Sequence, residues 1–378
     1  MPFHFKTIEE IGNVKSKKVL LLVDFNVPHE GQFIKDDFRI KKVLPTINFL
    51  RKNGAKIFLL SHIGSDKNES LEFVAKYCEK YFPVKFTKSI EKAKSIDLKE
   101  GEAVLIENVR ILSKGEVAND SKFAESMASL GDIYVNEAFS LSHRSHASVT
   151  GIPKFLPSYS GFLFADEVKN LSKAFNPEHP FILVFGGKKA ETKTPLIERF
   201  ISSADKLFVG GALANDFFKA KGFSVGESTL SENGLIKEEW LNSPKLFLPE
   251  DVIVENKGKR KEILIESINE SDKIVDAGAS FIEELRNSFI DAKLVIWNGP
   301  LGLCEDGLCV GTDSVAEAIT NSDAFTIVGG GDTVLEVDNL GLESKFSFVS
   351  TGGGAMLDFL ATGSLPGIKA LEYSASRS

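Results

Sequence analysis

Phe325-Thr326-Ile327-Val328-Gly329-Gly330-Gly331-Asp332-Thr333, with its counterpart Phe346-Ser347-Phe348-Val349-Ser350-Thr351-Gly352-Gly353-Gly354-Ala355, is the stretch that decides the fold. In each, a short apolar run leads into a glycine triplet and then into a helix-compatible segment. The run reads as a buried strand. Glycine at the strand-to-helix turn lets backbone N–H groups and a helix N-terminus close on an anion. Asp332 adds a hard carboxylate where a Mg²⁺ bridging phosphates would sit. A single triplet is most often a turn needed only for packing. Two in one half of the chain, one ending in Asp, point to a nucleotide polyphosphate.

Working outward, the same alternation fills the chain. Apolar runs at residues 19–23, 57–60, 104–106, 133–135, 181–185, 207–209, 246–248, 274–275 and 294–297 alternate with segments whose apolar residues lie three and four apart, such as residues 40–50 and 314–319. Strand–helix alternation implies parallel sheets covered on both faces by helices, with ligands beyond the carboxyl ends of the strands. The residues at those ends differ between the two halves. The first four strands lead into Asp24-Phe25-Asn26, Ser61-His62, Glu107-Asn108-Val109-Arg110 and Asn136-Glu137; the later ones lead largely into glycine, as at Gly186-Gly187 and Gly210-Gly211. One half is thus expected to read a small anion through side chains, the other to hold phosphates with backbone. At 378 residues two domains are expected, joined near the prolines 153, 157, 177 and 180, which bracket a helix over residues 162–175.

Composition narrows the classes. A net charge of −8 gives no basic excess for general nucleic-acid binding. No window approaches a membrane span, and the start carries no secretory signal pattern. Three cysteines, Cys78, Cys304 and Cys309, form no CxxC, so a disulfide framework is not expected and a reducing, cytosolic setting is. Of eight arginines, Arg39, Arg110 and Arg144 fall in or near the early strand-end loops, where a guanidinium fork suits phosphate or carboxylate. Taken singly, each reads more readily as a surface ion pair. His62 is a candidate donor or proton carrier, although a lone post-strand histidine is usually structural. Lys189 and Lys193 stand one helical turn apart after a strand, equally suited to phosphates or to a solvated helix start. His143-Arg144-Ser145-His146 lacks an acidic third ligand for zinc. No P-loop, HExxH, GxSxG or full GxGxxG motif is present.

Taken together, these segments resemble the phosphoglycerate kinase family. The matches are Val23-Asp24-Phe25-Asn26-Val27-Pro28, Ser61-His62-Ile63-Gly64, Glu107-Asn108-Val109-Arg110, Tyr134-Val135-Asn136-Glu137-Ala138-Phe139, the histidine–arginine segment 143–146, the lysine segment after Gly187, Trp297-Asn298-Gly299-Pro300 and both glycine triplets, in the family's order. The resemblance implies an α/β fold of two doubly wound, parallel-sheet (Rossmann-like) domains: residues 1–160 for 3-phosphoglycerate, with the tail 363–378 packing back on it; a hinge helix, 161–176; and residues 177–362 for Mg-nucleotide. It implies reversible phosphoryl transfer between ATP and the carboxylate of 3-phosphoglycerate, giving ADP and 1,3-bisphosphoglycerate, by a cytoplasmic monomer. Asp24, Asn26, Arg39, His62, Arg110 and Arg144 would surround the glycerate. Gly187, Lys189, Lys193, Gly211, Asn298, Pro300, Glu305, Gly330, Gly331, Asp332 and Thr333 would hold the nucleotide, with Asp332 on Mg²⁺. Arg39, Lys189, Lys193 and the turn at Gly352 and Gly353 would stabilise the transferring group.

Departures from the family pattern are few. Ser65 stands where an arginine of the glycerate phosphate site is usual; losing a charged hydrogen bond costs roughly 1.5–3 kcal/mol, so a high Michaelis constant for 3-phosphoglycerate is expected. Leu22, Glu137, Cys304 and Gly278-Ala279-Ser280 are milder changes. Two competing readings are a non-catalytic relative with a weakened acceptor site, and a nicotinamide-dependent dehydrogenase, for which the glycine fingerprint is missing.

Overall fold

The computed structural model describes residues 3–64, 69–232, 236–304 and 309–377. The chain folds as two units, Met1–Lys169 with Ser364–Ser378, and Asn170–Gly363.

In the first unit the strands are β1 (Lys18–Leu22), β2 (His29–Glu30), β3 (Phe33–Ile34), β4 (Lys56–Leu60), β5 (Val84–Thr87), β6 (Ala103–Ile106), β7 (Ile133–Asn136) and β8 (Ser158–Ser160). Apart from the small β2–β3 hairpin they form one sheet in the order β5-β6-β4-β1-β7-β8, parallel throughout. Val19, Leu20, Leu21 and Leu22 are all fully buried, as a strand covered on both faces requires. The cover comes from α1 (Phe38–Lys52), α2 (Glu72–Cys78), α3 (Ile90–Ser95), α4 (Val109–Leu112), α5 (Ser121–Ala128) and α6 (Phe162–Leu171), which runs across the unit boundary. In α1 the buried Ile40, Val43, Ile47 and Leu50 make one stripe of helical period, and they join the core under β1 and β4. β5 and β8 were not foreseen: Val84–Thr87 holds one buried residue and Ser158–Ser160 is polar, so neither shows an apolar run.

The second unit contains β9 (Phe181–Phe185), β10 (Lys206–Val209), β11 (Leu246–Phe247), β12 (Asp251–Asn256), β13 (Lys259–Leu264), β14 (Lys273–Ala277), β15 (Leu294–Asn298), β16 (Phe325–Gly329) and β17 (Phe348–Ser350). Its main sheet, β11-β10-β9-β15-β16-β17, is again parallel. The helices are α7 (Ala190–Phe200), α8 (Gly211–Ala220), α9 (Glu238–Leu241), α10 (Ala279–Phe289), α11 (Val310–Thr320), α12 (Gly331–Asn339) and α13 (Gly354–Thr362); α14 (Pro366–Ala375) belongs to the first unit. One expectation fails here. The run at 274–275 belongs to β14, which lies in a separate antiparallel sheet of order β13-β12-β14. Its hairpin partner β13 is mostly exposed and charged, so hydrophobic periodicity could not reveal it. The local signal was Lys257-Gly258, two successive positive-φ residues between the paired Asn256 and Lys259, the backbone of a tight hairpin turn.

Each parallel sheet reverses its strand order beside its central strand, between β1 and β7 in one unit and between β9 and β15 in the other. Crevices open at such points. Asp24 and Asn136 follow or end the strands flanking the first, with His62 after the adjacent strand β4; Gly187 and Asn298 follow or end those flanking the second.

Candidate active site

At the first crevice, Arg39 leans from the first turn of α1 onto the post-β1 loop. Its Nη1 donates to Asp24 Oδ2 at 2.8 Å and to the Asn26 carbonyl at 3.1 Å. The Ser140 hydroxyl also donates to Asp24. Asn26 Oδ1 accepts from the Gly64 N–H at 2.9 Å, tying the post-β1 and post-β4 loops together. Arg110, on α4, donates to the Gly64 carbonyl at 2.6 Å. That helix is capped by the side chain of Asn108, which accepts from the Arg110 N–H and donates to the Ile63 and Glu69 carbonyls.

Electrostatics bring the predicted residues into one cluster. Burial lowers the His62 pKa to about 4; Asp24 works against this, while Arg110, Arg144 and Arg39 all add to it. Burial thus favours the neutral imidazole of His62, and its buried Nδ1 has no hydrogen-bond partner among the described residues. Arg110 is pushed down by burial first and by the Arg144 guanidinium second. Three guanidiniums are offset here by Asp24 and, at Arg110, by the buried Glu116, leaving positive charge in excess. Ser65, the departure in the glycerate phosphate site, lies outside the described residues.

The second crevice is a cavity of about 490 Å³ lined by Gly187, Lys189, Lys193, Gly211, Asn298, Pro300, Gly330, Gly331, Asp332, Thr333 and Gly353. Lys193 projects from the first turn of α7 and is buried; burial, followed by the neighbouring Lys189, lowers its pKa to about 8, against the pull of Asp332. Asn298 ends β15 and donates to the Gly329 carbonyl at 2.8 Å, while the Thr333 hydroxyl accepts the Gly299 N–H at 2.9 Å. These two bonds hold the Trp297–Pro300 turn against the first glycine triplet. Gly211 has φ +58°, and a Cβ there would stand 2.5 Å from the Pro300 carbonyl, so the close approach of the two turns requires glycine. At Gly353, φ is +53° and the space around a Cβ is empty, leaving room for a ligand at the start of α13. Gly352 is buried behind it and donates its N–H to the Ser350 hydroxyl. Glu305 lies outside the described residues.

Asp332 is exposed in the first turn of α12 and faces the cavity. One hard carboxylate beside a phosphate-sized space is the donor set Mg²⁺ takes, with phosphate oxygens and water completing its shell. The cavity also includes residues that motif reading passed over: Asn215, Thr229, Asp276, Leu303 and Glu336. Asp276 alone carried a signal, as a carboxylate ending a strand; it accepts from the Gly311 and Ala277 N–H groups, while burial raises its pKa. The cysteine reading also needs correcting. Cys304 and Cys309 are paired as a disulfide, with their Cα atoms 4.7 Å apart, a separation that spacing alone did not disclose.

The sequence matches the phosphoglycerate kinase family model over residues 8–363. It is 40% identical over 395 residues to the phosphoglycerate kinase of Dictyoglomus turgidum, covering 97% of this chain and 99% of the relative, and 39% identical to that of Fervidobacterium nodosum, covering 97% and 98%. The structure of phosphoglycerate kinase from Coxiella burnetii superposes with a TM-score of 0.84 at 35% identity, over 98% of this chain and all of that one. The enzyme from Pyrococcus horikoshii gives 0.85 at 31% identity, over 99% of this chain and all of its own. Fold and site thus define a phosphotransferase of the two-unit parallel α/β kind, outside the P-loop and protein-kinase designs. The chain belongs to the phosphoglycerate kinase family. Among the described residues, no helix is long and apolar enough to cross a membrane.

Proposed function

We propose that the chain transfers a phosphoryl group reversibly between ATP and the carboxylate of 3-phosphoglycerate, as a cytoplasmic monomer, with the glycerate on the first unit and the Mg-nucleotide on the second. The observation that carries this division of labour is the contrast between the crevices: arginines around Asp24 in one, lysines and open glycine turns in the other. Arg110, Arg144 and neutral His62 bind the anionic acceptor, and Asn26 and Asp24 hold Arg39 in position. The acceptor carboxylate is already ionised at neutral pH, so no general base is needed. Positioning and charge neutralisation remain. Lys193, Lys189 and the N-terminus of α13 at Gly352 and Gly353 meet the phosphates. Asp332 would hold Mg²⁺, which neutralises phosphate charge when bound.

Because acceptor and donor are assigned to different units, transfer requires a movement that joins them and excludes water. Residues 161–176 are the proposed hinge. Small-angle scattering should show a smaller radius of gyration with both substrates than with neither; identical profiles would refute the hinge. The reaction itself is tested by ADP formation from ATP, which should require both 3-phosphoglycerate and Mg²⁺.

A further inference from the structure

Cys304 and Cys309 are a chemistry-bearing pair that the kinase reaction leaves unused. Cys304 is half-buried and lines the nucleotide cavity, at the end of the wall formed by Leu301, Gly302 and Leu303. Cys309 is buried, and its carbonyl accepts the Asp313 N–H in the first turn of α11. Their disulfide therefore fastens the last residue of the cavity wall to the start of a helix. Thr312 fastens the rest of that wall to the same helix: its Oγ1 accepts the Leu301 N–H at 3.0 Å and the Gly302 N–H at 3.4 Å.

The surroundings favour the disulfide. The Glu336 carboxylate and both sulfurs lie within 4.8 Å of one another. The carboxylate disfavours a negative charge on either sulfur, so the reduced pair gains little from ionising and the neutral disulfide is correspondingly favoured. Cys78 offers an internal contrast. It is buried in the first unit, and burial pushes its thiol up to about 12, which leaves it inert.

We infer that Cys304 and Cys309 form a reversible thiol–disulfide site, oxidised by small-molecule disulfides of the glutathione class, whose oxidised form binds nucleotide more tightly. This rests on the assignment of the cavity to nucleotide. In the oxidation, the Cys304 thiolate, reached through the open cavity, attacks one sulfur of the disulfide R–S–S–R. The first R–S⁻ leaves and takes up a proton. The Cys309 thiolate then attacks the Cys304 sulfur and expels the second R–S⁻, which is protonated in turn. Two protein thiols lose two electrons and two protons to R–S–S–R, giving one protein disulfide and two R–SH. A wall pinned at both Thr312 and Cys304 loses less freedom when nucleotide binds, so oxidation should lower the Kd for ADP about three- to tenfold.

The test uses the full chain equilibrated in reduced or oxidised glutathione, with thiols counted after denaturation and ADP affinity measured by calorimetry. Three thiols should fall to one on oxidation, with Cys304 and Cys309 linked in the peptide map, and ADP should bind the oxidised form more tightly. Saturating ADP should slow the loss of thiols. Cys304→Ser, which removes the attacking thiol, should bind ADP like the reduced protein and keep that affinity in oxidant. Three persisting thiols, or a linkage through Cys78, would overturn the site. Equal ADP affinity in both forms would overturn the coupling. A measurable affinity that Lys193→Met leaves unchanged would instead displace the nucleotide from this cavity, a separate failure that thiol counting does not share.

Discussion

Lys193 and Arg39 have their chemistry set by what surrounds a single side chain. Lys193 has an ordinary pKa of 10.5, lowered to about 8 by burial and by Lys189, so it loses its proton just above physiological pH in the unliganded protein. Phosphates favour the charged form, and at higher pH binding must take up a proton. ADP affinity should be nearly flat below pH 7 and weaken above pH 8 by up to about tenfold per pH unit. Lys193→Met should lose that dependence and bind ADP about ten- to a hundredfold more weakly. Calorimetric titrations from pH 6.5 to 9.5 check both. Arg39 is held by Asp24 and the Asn26 carbonyl, so its guanidinium is oriented before substrate arrives. Arg39→Ala should lower turnover by about 10³-fold, on the analogy of arginine fingers, while leaving ADP affinity intact; near-normal turnover would remove Arg39 from the mechanism. Both residues were legible from side-chain type and placement, a scarce arginine near an early strand-end loop and a lysine pair at the first helical turn after an apolar run. Asn215, Thr229 and Glu336 were not, because they sit within or after helices and only packing turns them to the cavity.

α6 shows what an element adds to its residues. It starts at Phe162, and its first N–H groups need acceptors. Glu137, from the end of β7, supplies them: its carboxylate accepts from Leu163 N at 3.1 Å, Phe164 N at 3.4 Å and the Thr46 hydroxyl at 2.5 Å. Thr46 in turn accepts the Phe162 N–H at 3.0 Å. Glu137 is fully buried, and burial pushes its pKa from 4.5 to about 8 despite those three donors. The native state therefore holds a proton that the unfolded chain releases near pH 4.5. Stability from this group falls as pH rises from about 4.5 to about 8 and is level beyond, an effect on the order of a few kcal/mol. Chemical denaturation between pH 5 and 9 should show that decline, and Glu137→Gln should flatten it and be the more stable protein at pH 8. Space here is closed as well. A Cβ on Gly161 would fall 1.8 Å from Glu137 Oε2, so the glycine is required where the chain enters the helix. The sequence shows Glu137 as a strand-end residue and a departure from the family pattern; its role as the cap of α6 emerges from distant residues meeting. The β12–β13 hairpin was hidden for the opposite reason, since its pairing is local but its outer strand buries too little to leave a pattern.

At the scale of the whole molecule, alternation of strand and helix was enough to read two parallel α/β sheets, because burial on both faces forces continuous apolar runs. It was silent on how the chain's end is used. After α13, Ser364–Ser378 crosses from the second unit to the first. There Ile368 and Leu371 of α14 are fully buried. The Gly367 N–H donates to the Ser142 carbonyl at 2.8 Å, the Ser374 hydroxyl accepts the Ser158 N–H at 3.0 Å, and Arg377 donates to the Lys154 carbonyl at 2.7 Å. Edge strand β8 and the segment before it thus rest on residues more than two hundred positions later. Burying two large aliphatic side chains contributes about 3–6 kcal/mol, a large share of the stability of a unit this size. A chain ending at Gly363 should therefore lose the first unit's unfolding transition to a much lower temperature, while the second unit, whose residues stop at Gly363, melts as before. Differential scanning calorimetry of the full and shortened chains, with ADP added to mark the second unit by its upward shift, separates the two transitions. A shortened chain whose ADP-insensitive transition stays in place would show that α14 is a passenger, and that the first unit completes its fold from residues 1–169 alone.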